Sequence, residues 1–259
     1  MANPKLKVDE RYEELMGKLL RREPIDEMTF RIIRNEIGNA SSPTEFVTLG
    51  LAYLTFSKHE EAMAIFDKGL LLNDIHFART YCHILHLIGD IKRLDEIIYS
   101  FADIYKTKWF SFNAASSAYL VGKISLCNKY LDMHIKMLSE EENRDSAVKF
   151  QQEILEDMSS TYVESGCTQE QYQIVGTIVH RILGQYHIGS TRTEISGKAG
   201  GSYVIEVHSS LAVTPKLIAE MNRELADAIC MDERLDDCKL IARFSANRNQ
   251  STGASYAYN

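Results

Sequence analysis

The chain has 259 residues, 45% apolar and 25% charged, which matches a globular protein with a sizeable core and excludes wholesale disorder. Its formal charge is −7, and most of the acidic excess lies before residue 168, which argues against general binding to phosphate backbones. The five cysteines, Cys82, Cys127, Cys167, Cys230 and Cys238, are odd in number, contain no CxxC pair and suit a reducing compartment.

Residues 1–8 read as a flexible leader, polar and then acidic, with no signal-peptide core. No apolar run approaches the roughly 20 residues of a membrane span. A cytoplasmic location with no membrane contact is therefore expected, and the sequon-like Asn39-Ala40-Ser41 reads as a loop. Helical spacing of Tyr12, Leu15, Met16, Leu19 and Leu20 predicts a first helix over 9–22, ended by Pro24. Met28, Ile32, Ile33 and Ile37 give a second over 26–37, stopped at Gly38-Asn39. Ser42-Pro43-Thr44-Glu45 is a capping box with proline at the first helical position. Helices over about 43–56, 59–72, 74–88, 91–105, 108–121, 124–138 and 140–164 follow, joined by short connections that make antiparallel hairpins.

The texture changes after Gly166. Thr168–Gln171 is a second capping box and opens a helix to about Tyr186. Two β-like runs, 190–196 and 202–208, flank the glycine-rich Gly197–Gly201. Thr214-Pro215 starts another helix, and Leu240, Ala242 and Phe244 alternate as a third strand. The expected fold class is α+β. A helical-hairpin domain (9–166) precedes a small domain (167–246) with a three-stranded, mainly antiparallel sheet and two helices, and 247–259 reads as a flexible tail.

The stretch 46–74 carries the one pattern with a family behind it. Phe46, Leu49, Gly50 and Tyr53 stand on one helix, and Ala62, Phe66 and Gly69 on the next, small residues where the helices would touch and aromatics where they would wedge. This pair resembles a tetratricopeptide repeat. The match covers one repeat well, over 43–76. A period near 33 residues brings Phe77 and Phe110 into register, but without the Leu-Gly pair. The resemblance implies a superhelical scaffold that holds a peptide or partner protein, with no catalytic set attached.

Candidate chemistry lies elsewhere. Glu194, Glu206 and His208 are the catalytic candidates, because alternate strand residues share a face and clustered carboxylates hold Mg²⁺ in metal-dependent nucleases. His208 or Lys198 would assist the nucleophile there; the competing reading is a solvated sheet face. His83 and His86, three apart with Cys82 and His76 nearby, have metal-ligand spacing but lack the supporting carboxylate. Gly197–Gly201 with Lys198 joins two strands rather than a strand and a helix, so it reads as a hairpin and not a phosphate loop. Trp109, Phe110 and Phe112 beside Lys106 and Lys108 fit base stacking or, better, packing between helices. Cys230 and Cys238 flank the acidic turn 232–237, a poor setting for a nucleophilic thiol and a poor match to a Ca²⁺ loop.

The sequence thus points to a non-enzymatic interaction scaffold, an adaptor, chaperone, assembly or regulatory factor, with neither cofactor nor metal. Its partner is another protein or a peptide, and the small domain adds a second contact or pairs a sheet edge in a homodimer. A metal-dependent hydrolase or nuclease in the small domain, with the helices as adaptor, is the second reading. A nucleic-acid-binding regulator is the third.

Overall fold

The computed structural model describes residues 4–186, 188–197, 200–207 and 213–246. Its helices are α1 (Pro4–Arg21), α2 (Glu27–Ile37), α3 (Pro43–Thr55), α4 (His59–Leu70), α5 (Ile75–Ile88), α6 (Ile91–Tyr105), α7 (Lys108–Leu120), α8 (Ile124–Met137), α9 (Arg144–Ser165), α10 (Gln169–Tyr186) and α11 (Pro215–Cys230). The strands are β1 (Ser190–Ser196), β2 (Ser202–Val207) and β3 (Ile241–Ala246). Helix starts follow the caps in the sequence. The Ser42–Glu45 box is complete, Asp74 accepts from the Phe77 amide at 2.7 Å, and Thr214 accepts from Leu217. The first helix begins at Pro4, inside the expected leader.

One turn geometry recurs between helices. Arg22, Ser57, Gly89 and Gly122 all take left-handed backbone angles. In each case that residue's amide bonds the carbonyl three residues back, and the next amide bonds the carbonyl five back. This is the arrangement that closes a helix when one residue can adopt positive φ. From Ser57 the turns return at intervals of 32 and 33 residues.

The residues up to Ile84 form one compact unit, and a second begins at Leu85, so the division falls inside α5. In the first unit, α1 and α2 pack on α3. Phe30 of α2 stacks on Phe56 at 4.4 Å and meets Tyr53 edge-on at 4.9 Å. The α3–α4 pair closes on Gly50, where an added Cβ would lie 2.5 Å from the Phe66 ring. Phe66 and Ala62 are fully buried, and a Phe so placed contributes about 2–3 kcal/mol of burial. Phe66 also stacks on Tyr81 at 4.9 Å.

The second unit holds the sheet, in the order β1-β2-β3. β1 and β2 are antiparallel, with Ile195 opposite Tyr203, whereas β2 and β3 are parallel, with Ile205 beside Phe244. The sheet is therefore mixed, which corrects the mainly antiparallel expectation. α11 lies between β2 and β3 in the chain and brings it back to the end where β2 began, so the third strand must enter in the same direction as the second. Ile195, Tyr203, Ile205, Val207 and Phe244 are buried. Tyr172 of α10 packs on Tyr203 at 5.4 Å, and the Tyr203 hydroxyl donates to the Leu120 carbonyl at the end of α7.

The expected boundary near Cys167 lies inside this unit. α9, α10 and the end of α7 all contribute to covering the sheet. Both edge strands carry a side-chain bond. Tyr119 Oη accepts from the Ile195 amide at 3.1 Å. The Asn222 amide takes both backbone groups of Phe244, at 2.8 and 3.0 Å.

Candidate functional site

The densest polar cluster is a half-buried knot in the second unit. Asp95 stands on the face of α6 that also carries Ile91, Ile98 and Ala102, all buried. Its Oδ1 accepts from Tyr99 Oη at 2.7 Å and Ser117 Oγ at 2.8 Å, and its Oδ2 accepts from Lys123 Nζ at 2.6 Å. Lys123 follows the left-handed Gly122 and lies 5.2 Å from the centre of the Tyr99 ring. Three segments thus converge on one carboxylate: α6, α7 and the α7–α8 turn.

α10 lies over this convergence through residues spaced four apart. Tyr172, Gly176, His180 and Gly184 fall on one stripe. A Cβ on Gly176 would sit 3.0 Å from the Leu120 carbonyl, and one on Gly184 would sit 3.2 Å from the Gly89 carbonyl. His180 lies between these two close approaches. It is buried, and its Nε2 has no hydrogen-bond partner. Burial pushes its pKa down to about 4, with the Lys123 and His86 charges adding to the shift and Asp95 opposing it. At neutral pH the imidazole is uncharged.

Burial and the adjoining Asp95 carboxylate hold the Tyr99 hydroxyl in its protonated form, so it donates to Asp95. Ser117 also gives its proton to Asp95, not to an imidazole, so it has no activating base. His86 Nε2 is 2.9 Å from the Ser190 carbonyl at the start of β1. The arrangement neutralises charge and ties helices together; it does not present an activated nucleophile.

Glu194 and Glu206 do share a sheet face. Glu206 stands opposite Arg192 and Glu194 opposite Val204, which places the two carboxylates diagonally. Arg192 Nη2 is 3.8 Å from Glu194 Oε2, and Arg243 enters the same face beside Val204. Among the described residues, no group of three or more His, Cys, Asp or Glu side chains is placed to hold a metal ion. Two acids flanked by two guanidinium groups are a poor donor set for a divalent cation. His208 and Lys198 lie outside the described residues, as does the segment 247–259.

The remaining candidates resolve into packing. A Cβ on Gly197 would lie 2.7 Å from Ser160 Oγ, and one on Gly201 would lie 2.7 Å from Ser165 Cβ, so these glycines let the hairpin end rest on α9. Phe110 is buried between Phe101, Tyr105 and Trp109, and Lys108 pairs with Glu142. Asp232 in the acidic turn pairs with Arg234 at 2.6 Å. Cys82 and Cys127 are buried, and desolvation raises both thiols to about 12. Among the described residues, no helix is long and apolar enough to cross a membrane.

Asp95, Tyr99, Ser117, Lys123 and His180 were not singled out from sequence. Their signal was present as a polar residue in a core register, Asp95 four residues after Ile91 and His180 between Gly176 and Gly184. No protein-family model, curated protein or solved structure matches this chain.

Proposed function

We propose that this protein is a non-enzymatic interaction scaffold that holds a segment of another protein on tetratricopeptide-like helical hairpins. The observation that supports the reading is the return of one hairpin turn at Ser57, Gly89 and Gly122, at the spacing such repeats have. Repeated hairpins offer the same helix faces again and again, a surface suited to an extended or helical peptide. α2 adds an apolar pair one turn apart, with Met28 74% and Ile32 38% exposed. A cytoplasmic setting and a second contact through the sheet-bearing part belong to the same reading. Self-association through a sheet edge would first have to displace Tyr119 or Asn222.

Affinity purification with mass spectrometry from the native host, followed by titration of the recovered protein against the purified chain, tests this. Saturable binding that weakens at least tenfold in Met28→Glu/Ile32→Glu, with unchanged circular dichroism, supports a contact on α2. Equal binding by both forms moves the contact to other helices. Failure to find any saturable partner rejects the scaffold reading.

A further inference from the structure

Two of the five thiols come together from distant parts of the second unit. Cys167 sits in the short link between α9 and α10 and is buried, and Cys238 lies in the link before β3 and is half-buried. Two bonds tie these links. The Lys239 amide donates to the Ser165 carbonyl at 3.3 Å, and Gln171 Nε2 donates to the Arg234 carbonyl at 2.8 Å. These bonds set Cys238 beside Cys167, near enough for each thiol to bear on the other's proton, and Ser165 Oγ lies 2.9 Å from the Cys167 sulfur.

We infer that Cys167 and Cys238 are a reversible redox pair, joined as a disulfide when the protein meets a peroxide. The half-buried Cys238 is the first to react. Its thiolate attacks one peroxide oxygen, the O–O bond breaks, and the products are a sulfenic acid and hydroxide, which takes up a proton to leave as water. Cys167, deprotonated, then attacks the Cys238 sulfur. The S–S bond forms, the S–O bond breaks, and the departing hydroxide takes up a proton as a second water. Overall the two thiols lose two protons and two electrons, and one hydrogen peroxide takes them up to become two waters.

Burial and the neighbouring Cys238 hold the Cys167 thiol above its ordinary range, so Cys167 is the slower of the two to meet the peroxide. The closed loop would contain α10, β1, β2 and α11, and so would lock the sheet to the helix that covers it. Such transient bonds are the kind that reducing compartments permit. The inference does not depend on the scaffold reading.

The test treats the full chain with hydrogen peroxide, blocks residual thiols by alkylation and maps the digest by mass spectrometry. The expected product is one linked peptide pair joining Cys167 to Cys238, separated again by dithiothreitol. Cys82 and Cys127 should alkylate only after unfolding. Cys230→Ser should give the same linked pair, and Cys238→Ala, at a half-buried position that tolerates truncation, should give none. A Cys230–Cys238 link, a Cys238 oxidised onward to sulfinic acid beside a free Cys167, or an unchanged digest each overturns the assignment.

Discussion

The hairpins α3–α4 and α7–α8 close on the same turn and use it differently. Each has a left-handed residue, Ser57 or Gly122, followed by a lysine. In the first unit, Lys58 reaches the exposed Glu61 at 3.3 Å and adds little. In the second, Lys123 meets Asp95 at 2.6 Å in a half-buried setting shared with Tyr99 and Ser117. The backbone is alike in both, and the difference is what covers it. α10 lies against the second turn, removes water from it and converts a surface lysine into a structural ion pair. Identical local geometry therefore says little about energetic weight until the covering element is known.

The comparison can be broken first at the left-handed residue. Gly122→Ser copies the first turn into the second, where the new Cβ would stand 2.1 Å from the Tyr172 ring. It should destabilise by at least about 3 kcal/mol in urea unfolding. A cost under 1 kcal/mol, on the order of ordinary surface changes, would show that α10 does not press on this turn.

Acid is the next lever. The folded pKa of His180 is depressed, from 6.5 to about 4. Its contribution is therefore fully present above pH 6.5, falls as the pH drops through the window and levels off below about 4. At about 1.4 kcal/mol per unit the loss should be about 3 kcal/mol. Unfolding midpoints measured across this window should flatten in His180→Gln. A variant as steep as the parent would place the acid sensitivity elsewhere, with the buried His134, whose pKa is lowered too, as the next residue to replace.

The ion pairs separate the hairpins more gently. Asp95→Ala leaves Lys123 without its carboxylate and strands two hydroxyl donors, and should cost about 2 kcal/mol. Glu61→Ala should leave the midpoint where it was. Equal losses would erase the distinction. The last expected effect runs the other way. Ser57→Gly relieves a positive φ of 61° and should stabilise by up to about 1 kcal/mol.

Much of the helical part was legible because its signals are local. The Ser42–Glu45 box, the Asp74 and Thr214 caps and the apolar stripes each lie within a few residues of what they specify. The parallel direction of β3 was also written in the chain, since a helix between two strands implies a crossover, but alternation alone was read as an antiparallel sheet. The polar knot was not legible. Asp95 and His180 lie 85 residues apart in the sequence, and only the stacking of α10 over the turns gives either of them its meaning. The division inside α5 left no mark in composition, because a helix that crosses it continues the same periodicity.

Tyr119 and Asn222 have a consequence for the protein in crowded solution. An open edge strand is a template, and unfolded or partly folded neighbours extend it strand by strand into aggregates. Here a phenol oxygen near the end of β1 and a carboxamide in the middle of β3 already hold positions where such growth would bond. A newcomer must break two well-formed amide bonds at Phe244 before it gains its first bond there. Side chains of α7 and α11 thus occupy one backbone position on each edge of the described sheet, and strand addition has to start against them.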